Sequence, residues 1–262
     1  MSAFAQYDLI ALIAHWLYPF LRIGGVLITA PIIGTRVVPA RVRLVLCLAI
    51  SLAIVPVLPI TEIAQGFGFQ TLIIGAQQLF IGMLIGLVLR LTFIVVEVAG
   101  QVIAQQMGLG FASLVDPQTG LQVPVLSQFY ITLATLLFLA LDAHLVMISI
   151  VAESFSAIPV GSAGINGLAL EMVLEWSASL FSGAVAVALP VIIALLIVNI
   201  AFGVVTRSAP QLNIFAIGFP VIMLFGAVVC YLSLDGLSQH MKHQFDEALQ
   251  LLRAILAVAA NG

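Results

Sequence analysis

Two histidines near the carboxyl end of the chain have a spacing that could hold a metal ion. His240 and His243 lie three residues apart, and Asp246 and Glu247 follow them. Residues three apart share a helix face, so imidazole and carboxylate groups could converge on zinc. No further ligand cluster accompanies them, and the pattern is more typical of a solvated helix face. We predict no metal site and no cofactor.

Three charged residues, Arg22, Arg90 and Asp142, lie inside long apolar runs. A charge at membrane depth is costly, so such residues usually face a protein interior or a water-filled cavity. One ionisable residue in each run makes a poor proton relay, and snorkelling to the interface is difficult from well inside a run. We predict that all three pair with groups on neighbouring helices or subunits.

Segment 97–124 joins a polar helical stub to a glycine-rich apolar stretch. Gln101 and Gln105 would share one helix face, and the sequence QMGLGFAS follows over 106–113. Non-helical backbone at membrane depth is tolerated only where it is buried in protein or lines a cavity. Two interpretations remain open. The stretch is either a re-entrant plug whose deformable side chains exclude water from a pore, or an ordinary surface loop.

The sequence contains none of the common catalytic or nucleotide-binding motifs: no H-E-x-x-H, G-x-S-x-G, P-loop or C-x-x-C occurs in it. We therefore predict that the protein is not an enzyme. The net charge of −3 and the lack of a basic stripe also argue against a nucleic-acid partner.

The elements that position these residues follow from the composition. Hydrophobic residues make up 63% of the 262 positions, charged residues 7%, and the mean hydropathy is +1.27. So few charges cannot cover the surface of a soluble domain of this length. We predict an all-α integral membrane protein with about six long apolar helices, at 9–34, 44–59, 72–96, 125–151, 177–206 and 212–234.

Several features refine these helices. Pro19, Pro190 and Pro220 predict kinks, and residues 153–175 read as a loop with short helical pieces. After Asp235, apolar residues recur every three or four positions, which predicts an amphipathic helix. We divide the single domain 1–262 into N-terminal hairpins with the plug (1–124), C-terminal hairpins (125–234) and this tail (235–262).

The charges near the ends of the runs give conflicting topologies. Positive residues favour the cytoplasm for both the 35–43 loop and the tail, yet five runs separate them. Either one run fails to cross, or segments are apolar because they pack on other subunits. The sequence T-R-x-x-P occurs at 35–39 and at 206–210. It marks either a repeated hairpin or a coincidence.

Four stretches resemble one known family. They are RIGG at 22–25 with Pro31, VPARVR at 38–43, the segment 101–120 with QMGLGFASLVDPQTG, and RSAPQLNIF at 207–215 followed by Gly218 and Pro220. The chain is similar, over almost its whole length, to the FliR/SctT family, the R subunits of type III protein export gates. The flagellar branch fits better than the virulence injectisome branch.

The resemblance implies a channel subunit without cofactors in the bacterial inner membrane. It implies a helical assembly with FliP and FliQ inside the flagellar basal body, displaced toward the periplasm. That assembly would dock with FlhB, FlhA and the basal-body ring and would pass unfolded secretion substrates. Lipid would cover the apolar surface that no subunit covers. A secondary transporter of a small solute is the less favoured alternative function.

The resemblance also implies site residues. The pore plug would be Gln106, Met107, Gly108, Leu109, Gly110, Phe111, Ala112 and Ser113. Within the plug, Met107, Leu109 and Phe111 would seal the axis, and the glycines would lower the cost of opening. Candidates for contacts with other subunits are Arg22, Arg36, Arg41, Arg43, Arg90, Gln101, Gln105, Asp142 and Arg207.

Overall fold

A computed structural model describes residues 2–58, 68–109, 125–162, 164–208 and 214–260, and the side chains from residue 13 to 208 in these ranges and from 218 to 260. Within these ranges the regular structure is entirely helical. The α-helices are α1 (Ser2–Thr29), α2 (Ala40–Ile54), α3 (Phe69–Gln106), α4 (Val125–Ala140), α5 (Ala143–Ala157), α6 (Gly167–Ser208), α7 (Ile214–Leu232) and α8 (Leu234–Ala260). A short 3₁₀ helix, Val55–Val57, continues α2.

The described helices include three that are long and apolar enough to cross a bilayer. These are α2 with its 3₁₀ extension, α3 and α6, and the number rises to five if each of two bent helix pairs is one span. The apolar part of α1 with described side chains, Ile13–Thr29, is shorter. The all-helical membrane fold predicted from composition is therefore confirmed, with three to five candidate spans where about six runs were expected.

The sharp bends occur away from the prolines. The helix pairs α4 with α5 and α7 with α8 are broken at residues 141–142 and at residue 233. At the first bend Asp142 adopts a left-handed conformation, with φ of 53°, and its carbonyl accepts the Leu145 and Val146 amides. Aspartate tolerates this region better than most residues. The apolar run at 125–151 is thus two helices, while Pro19, Pro190 and Pro220 lie inside helices.

Helix α6 begins ten residues earlier than expected, which corrects the loop predicted over 153–175. The side chain of Asn166 accepts the Ala169 amide at 3.0 Å and caps the first turn. Helix α5 also continues to Ala157, so the connection is confined to residues 158–166. Two glycines in this connection, Gly161 and Gly164, adopt positive φ values of 89° and 84°.

The chain forms two compact units that interleave along the sequence. Unit 1 contains residues 1–91, 142–176 and 245–262, and unit 2 contains 92–141 and 177–244. Each of the three consecutive segments expected from the sequence contributes to both units. Helices α3, α6 and α8 supply residues to both.

Unit 1 is built on a close crossing of α1 and α3. A Cβ atom at Gly82 would overlap the carbonyl oxygen of Arg22, and one at Gly25 would overlap that of Leu79. The Thr29 hydroxyl donates to the Met83 carbonyl at 2.9 Å across the same crossing. The close approach of α1 and α3 depends on backbone contact that only glycine permits.

The amphipathic tail is confirmed as α8. Its apolar positions are buried, and polar positions between them, including Lys242, Asp246 and Arg253, are exposed. The buried set includes Leu237, Met241, Phe245, Ala248, Leu252, Ile255 and Leu256. The two cysteines, Cys47 and Cys230, are free and buried.

Candidate channel-gating site

Helix α3 carries the first residues of the predicted plug on a well-defined helix end. The Gly108 amide donates to the Gln105 carbonyl, and the Leu109 amide donates to the Ala104 carbonyl, both at 3.0 Å. Gly108 has a φ of 77°. This pair of bonds around a left-handed glycine is the Schellman motif, which satisfies carbonyls that the helix end would otherwise leave unpaired. Gly108 therefore fixes the chain direction after α3, whereas the sequence had suggested that it loosens the loop.

Met107 lies inside unit 2. Its side chain is 5% exposed and packs on the backbone of Gly226 in α7, where a Cβ atom would lie 2.8 Å from Cγ and 2.9 Å from Cε. The thioether can follow this glycine surface closely because it is unbranched and flexible. Met107 thus anchors the end of α3 to α7, and the structure gives this residue a packing role within the chain.

A groove of about 710 Å³ follows the end of α3 within unit 2. Its lining comes from α3, α6 and α7, namely Gln105, Gln106, Met107, Gly108, Asn199, Phe202, Gly203, Gly218, Phe219 and Ile222. Three carboxamides therefore lie among apolar groups. Leu109 is half-buried, and the remaining predicted plug residues, Gly110, Phe111, Ala112 and Ser113, lie outside the described residues.

Arg22 forms the most elaborate polar site in unit 1. It is fully buried, and it donates from Nε to the Gln78 Oε1 atom at 2.8 Å, from Nη1 to the Ser154 carbonyl at 2.7 Å and from Nη2 to the Ile158 carbonyl at 2.7 Å. Its guanidinium lies 4.2 Å from the ring centroid of Phe155. The predicted pairing with neighbouring helices is present, but it is made within the chain. Arg22 has no exposed surface to offer another subunit.

The arginines of the 35–43 loop divide into two kinds. Arg43 donates to the carbonyls of Ile33, Thr35 and Val38 at 3.1–3.4 Å and so holds the loop together. Arg36 and Arg41 are exposed. Arg43 therefore finds in its own chain the carbonyl partners that we expected from neighbouring subunits.

The other candidate contact residues lie on accessible surface. Arg90, Gln105, Asp142 and Arg207 are exposed, and Gln101 is half-buried. Arg90, Gln101 and Gln105 lie on α3, Asp142 lies between α4 and α5, and Arg207 lies near the end of α6. Contact with other subunits stays a prediction for all of them.

Two polar residues with structural importance escaped the sequence analysis. Gln78 and Ser154 are buried partners of Arg22, yet they lie 56 and 132 positions from it. A glutamine inside the apolar run of α3 was the available signal, because a polar group at that depth needs a partner. Among the described residues, no group of three His, Cys, Asp or Glu side chains could hold a metal ion.

Comparison with known proteins gives consistent results over nearly the whole chain. The family described as bacterial export proteins, family 1, matches residues 13–248. The flagellar biosynthetic protein FliR of Escherichia coli K12 is 37% identical over 242 residues, covering 92% of each chain. The FliR proteins of Pectobacterium carotovorum and Aquifex aeolicus are 36% and 34% identical, covering 98% and 88% of this chain and 98% and 89% of their own lengths. The chain therefore belongs to family 1 of the bacterial export proteins, as an apolar helical membrane protein.

Proposed function

We propose that the chain is a core channel subunit of the flagellar type III protein export gate, where it forms a closed pore with FliP and FliQ. The family match and the flagellar relatives support a component of the flagellar export apparatus. Such a subunit catalyses no reaction and helps to form the passage for unfolded secretion substrates.

The length of the exposed apolar surface on α6 carries this proposal. At about 1.5 Å per residue, the 42 residues of α6 extend about 63 Å, roughly twice the thickness of the hydrocarbon core. Only 17% of its most apolar window is buried in the chain. Large apolar side chains are exposed along almost its whole length, from Leu168 through Leu170, Leu174, Phe181, Val185, Leu189, Ile193, Leu196, Ile197, Ile200 and Val204 to Val205.

One bilayer can cover only about half of such a surface, even when the helix tilts. In a lone chain the remaining apolar surface would be exposed to water, and this exposure costs a free energy of about 25 cal/mol for each Å². Apolar helices of other subunits are the covering that fits. A helical assembly displaced toward the periplasm in the inner membrane, within the basal body, would supply it.

Closure of the pore is assigned to residues 106–113. The Schellman motif and the packing of Met107 on Gly226 give this segment a fixed starting point. Because Met107 is buried against Gly226 inside unit 2, the sealing of the axis falls to Leu109 and Phe111. A narrow ring of such side chains excludes water and thereby ions. Opening would move the segment after Gly108 while the end of α3 stays in place.

Contacts with FlhB, FlhA and the basal-body ring are assigned to the exposed polar groups. Arg90 and Arg207 can each donate to carboxylates or carbonyls of a neighbour. Gln101, Gln105 and Asp142 complete the set. Arg22 and Arg43 are left out of it, because the chain itself uses their donors.

Co-expression of the tagged full-length chain with FliP and FliQ tests the assembly. We expect the three to elute together in mild detergent at a constant ratio. Recovery of the chain alone, stable and monodisperse while FliP and FliQ elute elsewhere, would contradict the proposal. The flagellar relatives favour the flagellar gate over an injectisome counterpart. A solute transporter would instead move its solute in proteoliposomes that contain this chain alone.

A further inference from the structure

Helix α2, together with its 3₁₀ extension, differs from α6 in having the length of a single membrane crossing. Ala40–Val57 has 18 residues, and 17% of it is buried in the chain. At about 1.5 Å per residue it extends about 27 Å, close to the thickness of a hydrocarbon core. Its exposed apolar side chains include Val42, Leu44, Val45, Leu48, Leu52 and Val57. One bilayer therefore suffices to cover α2, and lipid is the covering that its length fits.

The amino-terminal end of α2 carries uncompensated positive charge. No Asp or Glu occurs in the sequence between Asp8 and Glu62. Arg36 and Arg41 are exposed, and within the described part of the chain neither side chain has a hydrogen bond or an ion pair. The three bonds from Arg43 to loop carbonyls order the turn on which Arg36 is carried. Two guanidinium groups are thus available at one end of a membrane-length helix.

A shallow apolar slot on one face of α2 begins beside these charges. It has a volume of about 390 Å³ and is lined by Arg41, Val42, Val45, Leu46 and Ala49. Apart from Arg41, every one of these side chains is aliphatic. The slot therefore offers a guanidinium at the amino-terminal end of the helix and an apolar wall toward its middle.

We propose that this end of α2 binds an anionic phospholipid. Arg36 and Arg41 hold the phosphate, and an acyl chain lies along the slot toward Ala49. The planar guanidinium suits a phosphate because it can donate two parallel hydrogen bonds to it. An acidic protein surface would satisfy the charge but would leave the apolar slot unexplained, whereas a lipid satisfies both. The site is independent of the pore closure proposed for residues 106–113.

Native mass spectrometry of the purified complex that contains the full chain tests the proposal. The complex is titrated with phosphatidylglycerol or with phosphatidylcholine of the same acyl chains, and bound lipid is counted. The test variant is Arg36→Gln with Arg41→Gln. The matched control is Lys242→Gln with Arg253→Gln, which removes two exposed positive charges on α8. The variant Ala49→Phe fills the slot without changing the charge.

We expect the unaltered complex to retain phosphatidylglycerol in preference to phosphatidylcholine. Each arginine is worth about fivefold near an anionic headgroup, so the double variant should lose about 25-fold in this preference. The control should keep this preference, and Ala49→Phe should weaken lipid retention. The variant with Arg36→Lys and Arg41→Lys should restore part of the preference, because lysine keeps the charge but not the paired hydrogen bonds. Equal retention of the two lipids by the unaltered complex would overturn the proposal. So would an unchanged preference in the double glutamine variant, or cross-linking of Arg36 or Arg41 to an acidic protein surface that displaces the lipid.

Discussion

Replacing Arg22 with methionine should destabilise unit 1 markedly, although it removes a buried charge that has no carboxylate partner in the part of the chain that the structure describes. Methionine has a comparable length and can occupy the space between α1, α3 and α5 without a polar group. The change removes the donors that serve Gln78, Ser154 and Ile158. The result depends on how many of these acceptors find another partner.

The structure allows this count. The Ser154 carbonyl keeps the Ile158 amide at 2.9 Å, so it stays satisfied. The Gln78 Oε1 atom and the Ile158 carbonyl lose the donor that Arg22 supplies, which costs about 1–3 kcal/mol for each buried acceptor. Relief from burying an unpaired charge offsets part of this cost. We therefore expect a loss of about 2–4 kcal/mol in the free energy of unfolding.

Denaturant unfolding of the purified complex, followed by loss of helical circular dichroism, measures this change. Arg90→Met is the control, because Arg90 is exposed on α3 and its replacement should cost less than about 0.5 kcal/mol. Adding Gln78→Met to Arg22→Met removes one of the unpaired acceptors and should recover about 1–3 kcal/mol. An Arg22→Met protein as stable as the Arg90→Met control would refute the reasoning.

Three further substitutions test backbone contacts through membrane protein levels and unfolding free energies. Gly82→Val should abolish accumulation of the protein in the membrane, because its Cβ would overlap the backbone of α1. The control Gly203→Val, whose side chain enters open space, should accumulate normally. Equal protein levels for the two variants would contradict the close crossing of α1 and α3. Gly108→Ala should lower the free energy of unfolding by about 1–2 kcal/mol because residue 108 has a positive φ, and Gly108→Asn should lower it less. No loss in the alanine variant would argue against the Schellman motif at the end of α3. Gly226→Ala should lower the free energy of unfolding by about 1–3 kcal/mol, and adding Met107→Ala to the same chain should recover part of this loss. Strictly additive effects of the two substitutions would show that the residues do not touch.

The helical membrane fold could be predicted because lipid leaves the backbone few choices. Without water, amide and carbonyl groups must pair within the segment, and long apolar runs therefore become helices. The ends of helices were less predictable. Helix α3 continues for ten residues beyond the run that ends at Val96, because Gln101 and Gln105 are good helix formers although they are polar. The first turns of α6 were likewise missed because Glu171 and Glu175 interrupt the apolar run although they lie in the helix. Asn166 was a usable signal for the start of the helix, because asparagine is a common N-cap residue.

The long-range partners could not be predicted from spacing. A charge in the apolar run of α1 required partners, but nothing in the sequence identified Ser154 as one of them. Likewise, the glycine of QMG was expected to add freedom, and only the hydrogen bonds of Gly108 and Leu109 show that it ends a helix. Local sequence thus predicted which residues need an explanation, and packing supplied it.

Ion permeability of membranes containing the co-expressed gate tests the channel account most directly. The informative variant deletes 110–113, which spares the anchoring residues Met107 and Gly108 that a longer deletion would remove. We predict an intact complex and a large rise in the leak of small ions, while replacing the same four residues with Leu-rich sequence should keep the membrane tight. An intact complex whose membranes are no more permeable after the deletion would contradict the assignment of this segment as the closure of a pore.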